Sequence, residues 1–443
     1  MGKKNNILIK KSIFILIVVL LSIPMIQQVS SIADVKPLKG AVVKVEKPEL
    51  TFENWFDGDY QLQEEDFINH NFGFRASFVR LHNQIDYWLF GKINANNVIL
   101  GKDGYLFEYS YIREYLGRNF LGKDIIDQKV AKLKSVSDSL SVRGTDLVVL
   151  LAAGKASYYP EYFPDSLSPE SKTISNYDYF SKAFDSAGIL NIDFNRWFVS
   201  MKDTSRYPLY TKGGIHWSKY GEYLVADSLI NYVEKLRGVK LPHFKLKSID
   251  VSTEPQYRDN DIGEGMNLMF VHSTLPMAYP KLSIDREGVE IPVKAMIVAD
   301  SYYWELYNMG LSREIFNNGQ FWYYNKKIYS QEPGWATKPV NETNIRREVE
   351  KNDIVFILQT EATLYRFAFG FVDKQYELYA QSDYNPDDEL ELTENQEIAV
   401  IIQNIKANKE WYNQVDEKAK KKGIPVDEML QIEARYILEK RKK

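Results

Sequence analysis

Two short segments of the chain carry the residue types of nucleophilic acyl chemistry. The first is Met296-Ile297-Val298-Ala299-Asp300-Ser301, an aliphatic run ending in Asp-Ser and followed by Tyr302-Tyr303-Trp304-Glu305-Leu306-Tyr307. A serine at the carboxyl end of a buried strand projects from the sheet edge. The backbone N–H groups and helix dipole that follow it can stabilise an oxyanion. The plain alternative is that Asp300 or Ser301 only caps the next helix. A serine nucleophile also needs a base. Of the five histidines, His70 and His82 lie in or beside an N-terminal helical stretch, and His243 and His272 in an irregular one. His216 instead ends the glycine-bearing loop Tyr210-Thr211-Lys212-Gly213-Gly214-Ile215-His216-Trp217-Ser218. There Ser218 can cap a helix whose period is set by Tyr220, Leu224, Leu229 and Val233. Positive potential at a helix N-terminus disfavours imidazolium, so a histidine there stays neutral and can accept a proton. A lone histidine in a loop is also a common structural residue.

Other chemistries are excluded by what the chain lacks. It has no cysteine, which removes disulfide scaffolds, thiolate zinc sites and cysteine nucleophiles. No two histidines share metal-ligand spacing, and Asp387-Asp388-Glu389 reads as a solvated surface, so no metal and no cofactor is expected. No Gly-x-x-x-x-Gly-Lys motif is present to cradle phosphate. A formal charge of −4 and the absence of a basic, aromatic-interleaved motif argue against nucleic acid. The 30 Tyr, 23 Phe and 8 Trp suit carbohydrate faces, although core filling would consume most of them.

The elements that must position these residues are legible in outline. Lys3, Lys4, Lys10 and Lys11 precede an uncharged run from Ser12 to Ala33, so residues 1–33 are read as a membrane anchor or signal segment with the remainder exported. Retention as a single anchor is preferred over cleavage near the Ser31/Ala33 pair. Residues 34–50 form a spacer with Pro37, Pro48 and several lysines. Phe74, Phe78, Leu81, Ile85 and Leu89 mark an amphipathic helix, and Gly101-Lys102-Asp103-Gly104 a hairpin turn. Apolar runs at Asp146 to Leu151, Ile189 to Phe194, Lys294 to Ala299 and Asp353 to Leu358 alternate with helical stretches. That rhythm predicts an α/β fold with a mostly parallel sheet covered on both faces. Residues 241–292 lose the rhythm and are read as a β-rich insertion into a catalytic domain over 51–394. Residues 395–443 are read as a C-terminal helical appendage broken at Gly423-Ile424-Pro425, with Val426, Leu430, Ala434 and Ile437 on one face.

His-Trp-Ser before a helix, Asp-Ser after a buried strand, and the opening Asn54-Trp55-Phe56 through His70-Asn71-Phe72-Gly73-Phe74-Arg75 resemble the AlgJ/AlgX-type alginate O-acetyltransferases. Gly101-Lys102-Asp103-Gly104-Tyr105-Leu106-Phe107 is similar to the hairpin near the start of that family's domain. The resemblance spans roughly residues 51 to 375 and implies an SGNH-hydrolase-like α/β/α sandwich with histidine preceding serine. It makes Ser301 the nucleophile and His216 the base. One position departs from the pattern: where the family places its triad aspartate, this chain has Gly214. An acidic partner orients the imidazole, so either a backbone carbonyl or another carboxylate must serve. Glu361, just beyond the strand Asp353 to Leu358, is the carboxylate named for that role, with an exposed loop residue as the plain alternative.

The resemblance then implies a serine acyl-enzyme that passes acetyl groups to hydroxyls of an exported polysaccharide. Backbone N–H groups of Ser301 and Tyr302 would hold the oxyanion. It also implies a membrane-bound O-acyltransferase partner that supplies acetyl groups, and an extracytoplasmic (periplasmic) body held at the cell membrane. Lys155, Trp217 and Tyr307 are the expected substrate contacts, with Tyr158 and Tyr159 as further rings at a sheet edge. Two rivals remain: a polysaccharide acetyl esterase using the same serine and histidine, and a non-catalytic carbohydrate-binding or assembly component with a degenerate triad.

Overall fold

A strand with no polar face cannot lie at a surface, and three segments of this chain, Asp146–Ala152, Ala295–Ala299 and Ile354–Thr360, are built that way. The computed structural model describes residues 2–40, 45–270, 274–289, 291–380, 398, 401, 402, 405, 406 and 409–441. His272, the Asp387-Asp388-Glu389 cluster and the start of the C-terminal appendage at Asn395 lie outside the described residues. In chain order the strands are β1 (Val98–Leu100), β2 (Leu106–Glu108), β3 (Asp146–Ala152), β4 (Asn191–Asp193), β5 (His243–Ser252) and β6 (Met277–Asp285). They are followed by β7 (Ala295–Ala299), β8 (Phe321–Tyr323), β9 (Lys327–Tyr329), β10 (Lys338–Pro339) and β11 (Ile354–Thr360). The main sheet has the order β10-β9-β8-β7-β11-β3-β4. Its β8-β7-β11-β3-β4 part is parallel and its β10-β9-β8 edge antiparallel.

Side chains alternate across this sheet, and each face has its own core. Val148, Leu150, Ile297, Phe356 and Leu358 join one cluster with Phe194, Phe198, Val225 and Leu229 of the helices Phe194–Ser200 and Lys219–Arg237. Leu147, Val149, Val298, Val355 and Ile357 join the other, with Ile126, Val130, Leu133 and Leu140 of the helix Lys123–Ser141. The result is the α/β/α sandwich. Register puts Leu358 beside Ala299 and Thr360 beside Ala152, so the carboxyl ends of β7, β11 and β3 open at one edge. This is the edge at which the Asp300-Ser301 turn emerges.

The β-rich insertion is an antiparallel pair, β5 with β6, paired from His243↔Asp285 to Ser252↔Met277 with an irregularity between Leu246 and Ser248. The chain between its strands includes a one-turn helix, Asp261–Gly265. The expected turn at Gly101-Lys102-Asp103-Gly104 joins β1 and β2, with Asp103 and Gly104 at φ 53° and 75°. At the C-terminus the helices Lys409–Lys422 and Val426–Arg441 share a core of Val415, Ala419, Met429, Leu430, Ala434 and Leu438, which among the described residues contains none of the sheet cores.

The N-terminal helices are α1 (Gly2–Ser30), α2 (Phe52–Asp57), α3 (Asp59–Asn71) and α4 (Arg75–Phe90). Within α1, Ile7–Ser30 is long and apolar enough to cross a membrane, with a mean hydropathy of 2.4. The apolar period seen in the sequence falls on α4, but the helix turns Phe78, Leu81, Ile85 and Leu89 outward.

Gly319 shows how tightly the edge strands are joined. A Cβ built there would lie 1.7 Å from the carbonyl oxygen of Ala295, the first residue of β7. Gly319→Ala is therefore expected to prise β8 from β7 and lower unfolding free energy by about 1–3 kcal/mol. Urea unfolding of the purified protein checks this, and a change below about 0.5 kcal/mol contradicts it.

Candidate active site

β7 delivers its last residue into a turn held from below. Asp300 is 1% exposed, and its carboxylate accepts hydrogen bonds from the Tyr302 N–H (3.1 Å), the Thr360 N–H (2.8 Å), the Thr360 hydroxyl (2.9 Å) and the Thr363 hydroxyl (3.0 Å). Burial pushes this carboxyl up, and the four donors oppose that. Asp300 thereby ties the turn to the end of β11 while Ser301 faces the other way. The Tyr302 N–H, expected to hold an oxyanion, is engaged by Asp300 instead.

The histidine loop is tied from several sides. Tyr210 and Trp217 form an isolated antiparallel bridge at its base. The Lys155 ammonium donates to the carbonyls of Lys212 (2.7 Å) and Gly214 (2.8 Å), and the Leu106 N–H of β2 also reaches Lys212 (3.0 Å). The Tyr302 hydroxyl donates to the Ile215 carbonyl at 2.6 Å. Ser218 caps the following helix by accepting from the Gly221 N–H at 3.1 Å. His216, 7% exposed, then presents Nε2 to the Ser301 Oγ at 3.1 Å.

Behind the imidazole stands a carboxylate that the sequence pattern did not identify. His216 Nδ1 lies 2.9 Å from Asp261 Oδ2, and Asp261 Oδ1 accepts from the N–H groups of Ile215 (3.0 Å) and Ile262 (2.8 Å). A carboxylate on Nδ1 keeps the proton there and leaves the Nε2 lone pair to accept from the serine hydroxyl. The space at position 214 explains why the acid comes from elsewhere. A Cβ on Gly214 would lie 2.5 Å from Thr211 Oγ1, 2.8 Å from the Arg258 carbonyl oxygen and 2.9 Å from the Asp259 carbonyl oxygen. The chain leading to Asp261 is packed against the glycine, so a side chain has no room there. Asp261 lies 45 residues from His216 inside the insertion, and only its acidic type distinguished it in the sequence.

The other expected contacts are placed differently. Glu361 is 3% exposed and does not orient His216. Its Oε2 accepts from the Ser157 hydroxyl (2.5 Å) and its Oε1 from the Ser157 N–H (3.3 Å). It fastens the end of β11 to the segment after β3, and Asp261 holds the imidazole side. Lys155 is 1% exposed and spends its ammonium on two loop carbonyls, so it supports the loop from within rather than meeting substrate. Burial lowers its pKa to about 7, against the pull of Asp261. Trp217, Tyr158, Tyr159 and Tyr307 are buried as well and belong to the core cluster on one face of the sheet.

Burial pushes the Glu361 carboxyl up to about 7, against the Ser157 hydrogen bond. A folded pKa above the unfolded value of about 4.3 means that the folded state binds more protons between the two. The contribution of Glu361 to stability is therefore full below pH about 4.3 and is lost as pH rises through about 7. Glu361→Gln is expected to remove that decline, on the order of a few kcal/mol across the window. Urea midpoints of both proteins at pH 4.5, 6 and 8 check it, and parallel pH dependences contradict it.

Residues 98–268 match the family model for the SGNH hydrolase-like domain of acetyltransferase AlgX. No curated protein matches the chain. Among solved structures, the O-acetyltransferase domain of Pseudomonas putida AlgJ is similar at 15% identity and a TM-score of 0.40, over 63% of this chain and 99% of that one. Pseudomonas aeruginosa AlgX is similar at 16% identity and 0.39, over 62% of this chain and 67% of its own. Bacillus cereus PatB1 with a sulfonyl adduct is similar at 11% identity and 0.40, over 62% and 99%. The region matched by that family model contains both His216 and Asp261 and ends before Ser301.

Proposed function

We propose that this chain is a serine-dependent O-acyltransferase that places acetyl groups on hydroxyls of an exported polysaccharide. The observation that carries the reading is the relay Asp261–His216–Ser301, with separations of 2.9 Å and 3.1 Å. A nucleophile, a base within hydrogen-bond reach and a third group orienting that base are what covalent acyl transfer needs. The similarity of residues 98–268 to the AlgX acetyltransferase domain supports acetyl as the group moved.

In the first half-reaction the Ser301 Oγ attacks the donor's acyl carbonyl and its proton passes to His216 Nε2. The Oγ–carbon bond forms, the bond from the acyl carbon to the donor breaks, and His216 returns the proton to the leaving group. In the second half a sugar hydroxyl gives its proton to His216 and attacks the acyl carbon. The sugar ester forms and the Ser301 Oγ leaves with the proton restored. Asp261 stabilises the imidazolium formed in each half. We assign the Ser301 N–H to the developing oxyanion, because the neighbouring Tyr302 N–H is engaged by Asp300.

The apolar stretch Ile7–Ser30 supports an anchor that keeps residues 51–394 outside the cytoplasm, beside a membrane-bound O-acyltransferase that supplies acetyl groups. Residues 395–443 are assigned to the helical appendage.

Incubation of the native protein with a small activated acetyl ester is expected to leave an acetyl group on Ser301, detected by peptide mass spectrometry. Ser301→Ala should abolish the adduct in a folded protein, and His216→Ala should nearly do so. Asp261→Asn should lower the rate of adduct formation by roughly two to four orders of magnitude, whereas Glu361→Gln should leave most of it. Undiminished acetyl transfer in Ser301→Ala would defeat the assignment. Release of free acetate in preference to transfer onto an oligosaccharide acceptor would favour the esterase.

A further inference from the structure

A surface helix ordinarily buries an apolar stripe and shows a polar one to water. α4 is built the other way round. Its inward residues include Asn83 and Gln84, both buried. The Asn83 amide donates to the Met266 carbonyl at 2.9 Å, and Gln84 Oε1 accepts from the Phe270 N–H at 3.0 Å. Arg80 donates to the carbonyls of Lys36 and Pro37 in the spacer. The outward stripe is Phe78, Leu81, Ile85, Trp88, Leu89 and Phe90, each between 42% and 72% exposed. Trp88 stacks on exposed Phe270 at 5.3 Å, which extends the patch beyond the helix. An exposed apolar surface of this kind marks a contact with something other than water.

The position of α4 indicates what that contact is. The corner that begins α4 is packed on the end of α1. A Cβ at Gly73 would lie 2.1 Å from the Pro24 carbonyl oxygen and 2.7 Å from the Gln28 N. Gln27, Gln28, Ser31 and Val35 line the same crevice as the residues from His70 to Ala76. The corner at which the apolar span Ile7–Ser30 ends is therefore also the corner at which α4 begins. Basic residues before the span place this corner at the outer leaflet. The six stripe residues are uncharged, His82 beside them is exposed and 3.5 Å from Asp86, and Trp and Phe are side chains that favour the membrane interface.

We propose that α4 lies on the lipid bilayer that α1 crosses, with its apolar stripe in the interfacial region of the outer leaflet. The body is then held to the membrane at two places. This rests on reading α1 as a retained anchor. Uncharged phosphatidylcholine is sufficient, because the contact is apolar.

The absence of cysteine makes the test clean. The full chain is reconstituted in phosphatidylcholine bilayers as three single-cysteine variants, Leu16→Cys in the anchor, Ile85→Cys in the stripe and Val142→Cys on the far body. Each carries a nitroxide, whose collisions with lipid-soluble oxygen and with a water-soluble nickel chelate are measured. The label at position 85 is expected to resemble the one at 16, favouring oxygen severalfold, while the label at 142 favours nickel. If 16 is shielded from nickel but 85 is as accessible as 142, the anchor stands and the proposal is overturned. Protection of 85 from both reagents also overturns it, in favour of a protein contact with a partner or a second copy. Nickel access at 16 removes the anchor itself.

Discussion

The backbone at Gly214 lies close enough to the backbone of Arg258 and Asp259 that not even a methyl group fits between them, and the site depends on that contact. It brings a one-turn helix from the insertion under the histidine loop. Asp261 can then span both chains, holding the Ile215 and Ile262 N–H groups with one oxygen and His216 with the other. The glycine that looks like a lost catalytic acid is the space that lets another acid arrive. Without that approach the imidazole would lack a partner on Nδ1, and its tautomer would not be fixed for accepting the serine proton.

A second layer of buried ionisable groups sits below the site, one at the end of each central strand. Asp300 follows β7, Lys155 lies just beyond β3, and Glu361 follows β11. Burying such groups is costly unless their hydrogen bonds are met. Asp300 gathers four donors, Lys155 two carbonyls and Glu361 both polar groups of Ser157. Each joins a strand end to a loop that hydrophobic packing alone would leave loosely specified. Lys155 and Tyr302 hold the His216 loop from two directions, which fixes the Nε2 position relative to Ser301. Polar groups that resemble substrate contacts in the sequence are thus spent on geometry.

The same distinction runs through the fold. β3, β7 and β11 were legible because uninterrupted aliphatic runs have no other stable place than a sheet covered on both faces. The β8-β9-β10 edge was not. Phe321-Trp322-Tyr323 is short and aromatic, and it is a strand because β7 leaves an edge beside it. The period of α4 was equally plain, yet period alone does not say which way an apolar stripe faces. The buried amides of Asn83 and Gln84, bonded to the backbone around Met266 and Phe270, turn the stripe outward.

The sequence by itself determined the layers of the sandwich, the apolar N-terminal span and the two segments that end in His216 and Ser301. Each is a local signal, read from periodicity, hydropathy or motif within a few residues. The third member of the relay was decided only by tertiary structure, because the acid arrives from 45 residues downstream through a backbone contact that no local pattern encodes. Tertiary structure likewise decided that Lys155, Trp217, Tyr307 and Glu361 lie inside. A residue's type says what chemistry it can do, but its burial and its partners decide whether any of that chemistry remains available.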